Sequence, residues 1–312
     1  MLKNADLDTS VSGSFMNLPS MRAPGAGLAR ACIVGIPFDC GTHPFRVGSR
    51  EGPAAIRQQS RLVRHFHIGA TGAAANPTEF LGAIDVGDVP CRPGDIEYSY
   101  PRIEHTISAI LASGAIPISM GGDGAVTLPQ LRAVSKQHPG VVVLHIDAHT
   151  DTYEMEGFNT ATTFTRAAEE KLIDVENSFH IGARGGTFVG GVLEFGRSVG
   201  YHVIPFDEFD QDPDACMRHV FQTIGDKPVY LCFDMDVFDP SCAPGVCTPE
   251  WGGLSAKEGL KLLKSLHGLN FVAFDVNTVS PPQDVGGATA FLAATVIWEC
   301  CSLAAASIQR SA

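Results

Sequence analysis

The 312-residue chain is short of charge: charged residues are 18% of it, and 34 acidic against 22 basic side chains leave a net −12. No Lys/Arg run interrupts this acidic balance, which argues against a nucleic-acid or anionic-membrane surface. No apolar run approaches the roughly 18 residues of a membrane span, so none is expected. Residues 1–30 are Gly-, Ser- and Ala-rich and lack the continuous apolar stretch of a signal peptide. The nine cysteines are an odd number, and neither Cys300-Cys301 nor Cys242/Cys247 has zinc-site spacing. They read as free thiols in a reducing, cytoplasmic setting. Internal repeats, low-complexity tracts and interior linkers are also missing.

What is abundant is apolar. Hydrophobic residues make up 45%, enough for a large core and too much for a disordered chain. Residues 1–28 read as a flexible or partner-binding arm and 29–312 as one domain, a length that a single α/β domain accommodates. Buried-strand runs appear at 31–37, 116–120, 141–147, 179–183, 229–236 and 270–276. Between them the pattern predicts helices over 53–62, 101–113, 125–137, 160–172, 212–224, 255–267 and 286–307. Apolar strands without alternation, separated by helices, mean a parallel sheet covered on both faces. An open three-layer sheet and a closed eight-stranded barrel both satisfy this, and both place active sites at the carboxyl ends of their strands.

Two such ends are rich in metal-type ligands. The run VVVLHID leads into AHTD, where Asp147, His149 and Asp151 are spaced i, i+2, i+4. In an extended chain that spacing points all three to one side. VYLCF ends in Asp234-Met235-Asp236, again i, i+2. A lone DxD would read as a helix cap or surface pair, as Asp239-Pro240 reads as a turn or a helix start. Five ligands at two strand ends point to a cation, and hard carboxylates with an imidazole suit Mn, Ni, Zn or Fe. Four carboxylates in one cleft repel one another unless a cation or protons neutralise them.

From about residue 31 onward the sequence resembles the ureohydrolase family of arginases, agmatinases and guanidinobutyrases. The resemblance is carried by GIPFDCGTHPFRVGSREGPAAIRQQS at 35–60, GGDG at 121–124, DAHTD at 147–151, FDMDVFDPSCAPGVCTPEWGGL at 233–254 and FDVNTVSPPQD at 274–284. It implies an α/β fold, three-layer α/β/α with a central mostly parallel eight-stranded sheet. It also implies a dinuclear metal centre, trimers or hexamers, and hydrolysis at a guanidino carbon.

Three positions depart from the family pattern. Gly124 stands where active members carry the histidine of GGDH, a ligand of the first metal. Thr160 stands where they carry a histidine that assists substrate binding and proton transfer. Thr278 stands where a glutamate holds the guanidinium. Glycine offers no ligand atom, and threonine has neither the charge nor the pKa for the other roles. Transferred position by position, the first metal keeps Asp147, Asp151 and Asp234 but loses its imidazole. The second keeps Asp147, His149, Asp234 and Asp236. One nickel or manganese ion per chain at most is therefore expected.

The resemblance is nearest to the degenerate, non-catalytic subunit of a metformin- or guanidine-hydrolase complex. There a paralogous active ureohydrolase subunit would supply the two-metal centre. An altered, mononuclear hydrolase and a ligand-binding or structural protein are the competing expectations. Of the remaining candidates, Cys232, Cys242 and Cys247 lack a nearby base and read as packing. His145 and His180 read as core histidines, with contact to Asp147 as the alternative for His145. Asp123 is expected to fix its loop by accepting backbone N–H bonds. Asp39 and Arg50 read as fold support, His43 as a residue of the pocket-bordering loop, and Glu250 as a turn residue or a group approaching the cleft.

Overall fold

The computed structural model describes residues 13–22, 25–41, 43 and 45–311. Eight strands make one sheet: β1 (Ala31–Gly35), β2 (Ile84–Asp88), β3 (Ile116–Met120), β4 (Val142–Ile146), β5 (Phe179–Ala183), β6 (His202–Pro205), β7 (Pro228–Asp234) and β8 (Asn270–Asn277). Their order is β2-β1-β3-β8-β7-β4-β5-β6 and every pairing is parallel. β2 and β6 lie at opposite ends of the sheet and do not pair with each other, which rules out the closed barrel. The sheet is also wholly parallel rather than mostly so.

Among the described residues ten α-helices flank the sheet: α1 (Gly52–Ser60), α2 (Pro77–Leu81), α3 (Ile96–Ala112), α4 (Thr127–Gln137), α5 (Thr163–Glu169), α6 (Val192–Val199), α7 (Phe206–Gln211), α8 (Pro213–Ile224), α9 (Ala256–Ser265) and α10 (Ala288–Ser311). Strand side chains alternate between two buried layers. Val142, Leu144, Ile146, Leu231 and Phe233 pack on the side of α1, α8, α9 and α10, whereas Val143, Tyr230 and Cys232 pack on the side of α3, α4 and α5. Both faces are buried under helices, which is why the inner strands are mostly apolar.

Local signals explain most boundaries. Ser255 and Glu258 form a reciprocal cap at the start of α9, and Asp212 accepts the Ala215 N–H at the start of α8. The helix expected at Pro101 begins at Ile96 instead, where Asp95 accepts the Tyr98 N–H at 2.9 Å. The two edge strands and the short helices α2, α6 and α7 were not expected, since their Gly, Asp and Pro content masks them.

Two further expectations are corrected. By length and composition α10 could cross a membrane, because Glu299 is its sole charge before Arg310; its apolar window is 72% buried inside the fold, as in a core helix. The arm expected over 1–28 is docked across 15–20. Phe15 and Met16 are buried, Phe15 N–H donates to Asp85 Oδ2 at 2.8 Å, and Ser20 bridges to Asp85. Residues 1–12, 23 and 24 of that arm lie outside the described residues.

Candidate metal centre

The four central strands, β3-β8-β7-β4, deliver the motif residues to one end of the sheet. β4 pairs with β7 up to Ile146↔Phe233, so the next step along each strand brings Asp147 and Asp234. β7 pairs with β8 at Asp234↔Asn277, which puts Thr278 one residue beyond. The loop after β3 packs so closely on the exit of β1 that a Cβ on Gly122 would lie 1.5 Å from the Phe38 carbonyl oxygen. Only glycine fits there.

Among the described residues two donor groups stand out, each gathered within 4.8 Å: Asp147, His149 and Asp236, and His145, Asp147 and Asp151. Asp147 is common to both. β4 has ended at Ile146, and Asp151 adopts φ +45, so the extended i, i+2, i+4 geometry does not hold and His149 and Asp151 go to different groups. Asp234 belongs to neither group.

In the first group His149 Nδ1 lies 3.3 Å from Asp147 Oδ1 and 3.2 Å from Asp236 Oδ2. Thr248 donates its hydroxyl to Asp236 Oδ2 at 3.0 Å, and Ala148 N–H donates to Oδ1 at 3.2 Å. Two hard carboxylates and an imidazole, all mostly enclosed, fit a divalent ion such as manganese or nickel. Such an ion supplies Lewis acidity and lowers the pKa of a coordinated water. The protein's part is to hold Asp147, His149 and Asp236 in place and exclude bulk solvent.

The second group differs. Both ring nitrogens of His145 are engaged, Nε2 with Asp147 Oδ2 at 2.8 Å and Nδ1 with His180 Nδ1 at 2.8 Å. His180 Nε2 reaches Thr152 Oγ1 at 3.0 Å. The histidine read first as core is thus a buried brace for Asp147, and orienting contacts of this kind tune a metal ligand. The adjacency of His145 to DAHTD was the available signal. Thr248 and Thr152 carried none, because hydroxyls are common everywhere.

Electrostatics bears out the crowding. Burial alone would raise Asp147, but His145 and then His149 outweigh it and hold this carboxyl well below the usual range. His149 is opposed by burial, yet Asp236 and Asp147 lift it well above an ordinary imidazole. Burial, then the charge of Asp147, pushes Asp151 well up, and burial with Asp236 does the same to Asp234. This is the signature of too many carboxylates for the positive charge at hand.

The three departing positions sit against this cluster. A Cβ on Gly124 would stand 2.7 Å from Asp151 Oδ2 and 2.9 Å from Thr160 Cγ2. Thr278, at φ +67, donates its hydroxyl to Asp234 Oδ1. A β-branched residue in the left-handed region costs about 1–3 kcal/mol and persists only where its surroundings dictate it. The remaining candidates are structural. Asp123 accepts Cys40 N–H at 2.6 Å and Ala125 N–H at 3.2 Å, and burial pushes it up to about 7. Asp39 pairs with Arg50 at 3.1 Å, and His43 Nδ1 accepts the Arg46 N–H at 2.9 Å. Glu250 packs over Gly185, and Asp239 accepts the Ser241 and Gly252 N–H groups. All nine cysteines are free. Cys232 contacts Thr127 and Asn277, Cys247 contacts Ser49, and Cys242 donates to the Asp239 carbonyl; burial raises all three thiols.

Sheet and site together define an α/β protein built around a carboxylate–imidazole centre suited to a divalent cation. The Arginase family profile matches residues 29–302, and the chain belongs to that family. Its sequence is 38% identical over 304 residues to guanidinopropionase from Pseudomonas aeruginosa, covering 96% of this chain and 93% of that one. It is 38% identical over 307 residues to agmatinase from Photorhabdus laumondii, covering 96% and 95%. The structure of proclavaminate amidinohydrolase from Streptomyces clavuligerus superposes with a TM-score of 0.89 at 33% identity, over 96% of this chain and 99% of that one. The chain is thus a ureohydrolase of the agmatinase and guanidinopropionase kind.

Proposed function

We propose that this chain is a catalytically impaired ureohydrolase subunit. It assembles with an active paralogue into a trimeric or hexameric, metal-dependent hydrolase of guanidino compounds, of the metformin or guanidine type. One observation carries the reading. The place of the missing imidazole at Gly124 is closed by Asp151 and Thr160, whose atoms would crowd any Cβ there at 2.7 and 2.9 Å. A pocket under selection for two-cation turnover has no reason to fill that volume. Thr278 adds to this, because its hydroxyl cannot pair with a guanidinium as a carboxylate does. The intact core and turns suit a chain retained for its surface. The competent partner then holds the two-metal centre, and this chain at most one nickel or manganese ion.

The test is co-expression with an active paralogue, comparing activity and metal content for each chain alone and for the pair. The expected result is a stable complex whose turnover disappears when the partner's centre is disabled. Hydrolysis of a guanidino compound by this chain alone, at an ordinary enzymatic rate, overturns the reading. The alternative, a hydrolase working with a single cation, draws support from the donor group Asp147, His149 and Asp236 and from 38% identity to a guanidinopropionase.

A further inference from the structure

Asp234 stands apart from both donor groups, and its surroundings give a reason. Its Oδ1 receives two donors at once, the Thr278 hydroxyl and, at 2.7 Å, the Asp236 backbone N–H. Thr278 has little freedom to let go. It is 3% exposed, it is β-branched at φ +67, and its own N–H donates to the Gly122 carbonyl at 2.8 Å. Those two donors take both acceptor positions of that oxygen, whereas Thr248 and Ala148 place only one each on the two oxygens of Asp236.

We propose that Thr278 is a positioning residue that withholds Asp234 from the cation. The centre is thereby fixed as a three-donor site of Asp147, His149 and Asp236 that accepts a single divalent ion. The glutamate-to-threonine exchange does more than remove a guanidinium partner: the hydroxyl, the right length to reach Asp234 and unable to swing away, takes over a ligand. This deepens the reading of an impaired subunit, and rests on it for the premise that this pocket is not kept for turnover.

The experiment uses the full chain and Mn²⁺ alone, with affinity and stoichiometry measured by calorimetry and elemental analysis. Thr278→Val keeps the shape and removes the hydroxyl, so Asp234 can join the donors. Its Mn²⁺ Kd is expected to fall about tenfold, the order of effect that outer partners exert on metal affinity. Thr278→Ser keeps the hydroxyl and is expected to match the unaltered protein. A merely structural threonine would change the melting temperature of the metal-free chain and leave the Kd alone. Thr278→Val binding Mn²⁺ no tighter than the unaltered chain overturns the proposal. If the valine variant does not fold, Thr278→Ala is judged by the same criterion. Turnover by the unaltered chain alone would sink the subunit reading without touching this comparison, so the two failures are separable.

Discussion

Asp151 Oδ2 lies 2.7 Å from the point where a Cβ on Gly124 would stand, and Thr160 Cγ2 lies 2.9 Å from the same point. The glycine is not an open slot awaiting an imidazole, because a carboxylate and a methyl have settled over it. The exchanges at 124 and 160 are therefore coupled. Gly124→Ala is expected to cost about 1–3 kcal/mol through overpacking, read as a lower melting temperature. Combining it with Thr160→Ser, which deletes the crowding methyl, should recover about 0.5 kcal/mol or more, a coupling expected of residues in contact. Strict additivity of the two changes would show that the volume is not shared. Gly124→His alone should leave Mn²⁺ stoichiometry unchanged, whereas Gly124→His, Thr160→His and Thr278→Glu together should add a second ion, counted by elemental analysis.

The chain of contacts from Asp147 through His145 to His180 gives a second prediction. His145→Phe preserves ring volume but removes the Nε2 contact to Asp147 and leaves His180 Nδ1 without its partner. The buried orphan should cost about 1–3 kcal/mol, and Mn²⁺ affinity should drop by roughly 10–100-fold, as for other second-layer partners of metal ligands. A variant that binds Mn²⁺ like the unaltered chain would reduce the two histidines to packing. His149→Ala, which deletes a donor outright, should weaken binding further than His145→Phe.

How far the sequence reveals this site follows from the range of the interactions involved. The DAHTD and FDMD runs sit where their strands end, so the strand pattern alone located Asp147 and Asp234 at the carboxyl edge. The six inner strands were legible because burial on both faces favours apolar residues at most positions, the buried exceptions such as His145 and Asp275 being hydrogen-bonded. The outer strands Ile84–Asp88 and His202–Pro205 were hidden by Gly, Asp, His and Pro, which an edge tolerates. Grouping was harder. The extended i, i+2, i+4 geometry failed because the chain leaves β conformation after Ile146 and Asp151 turns to positive φ. The capture of Asp234 by Thr278 depends on the register between β7 and β8, which no local pattern encodes.

Register also explains why the segment around Phe15 is docked. Arg57 is 1% exposed and donates to Asp85 through Nε at 2.8 Å and Nη2 at 3.0 Å, while a third nitrogen meets Asp88. The same Asp85 accepts the Phe15 N–H. Asp85→Ala strips a buried guanidinium of its bidentate partner and should cost about 3–5 kcal/mol. Because the Phe15 contact goes with it, limited proteolysis should cut the variant within 13–22 faster than the unaltered chain. Equal cleavage rates, with stability lost, would place the anchor in the Phe15 and Met16 side chains instead.

The crowded carboxylates make stability depend jointly on pH and cation. Asp123 is pushed up to about 7 by burial from an ordinary 3.8, and Asp151 and Asp234 are raised well above that ordinary value by burial and neighbouring carboxylates. For an acid whose folded pKa is raised, the folded state binds the extra proton. Its contribution is fully present below the unfolded value and is lost as pH climbs through the folded one. The metal-free chain should therefore lose melting temperature between about pH 4 and 7, the span that Asp123 alone covers. A divalent ion supplies the positive charge that protons supplied at lower pH, and it must displace the proton from His149, whose imidazole Asp236 and Asp147 hold well above its ordinary range. Both effects make the Mn²⁺-induced rise in melting temperature larger at pH 8 than at pH 5, at equal ion concentration. Rises of the same size at the two pH values would mean that the ion binds elsewhere than among Asp147, His149 and Asp236.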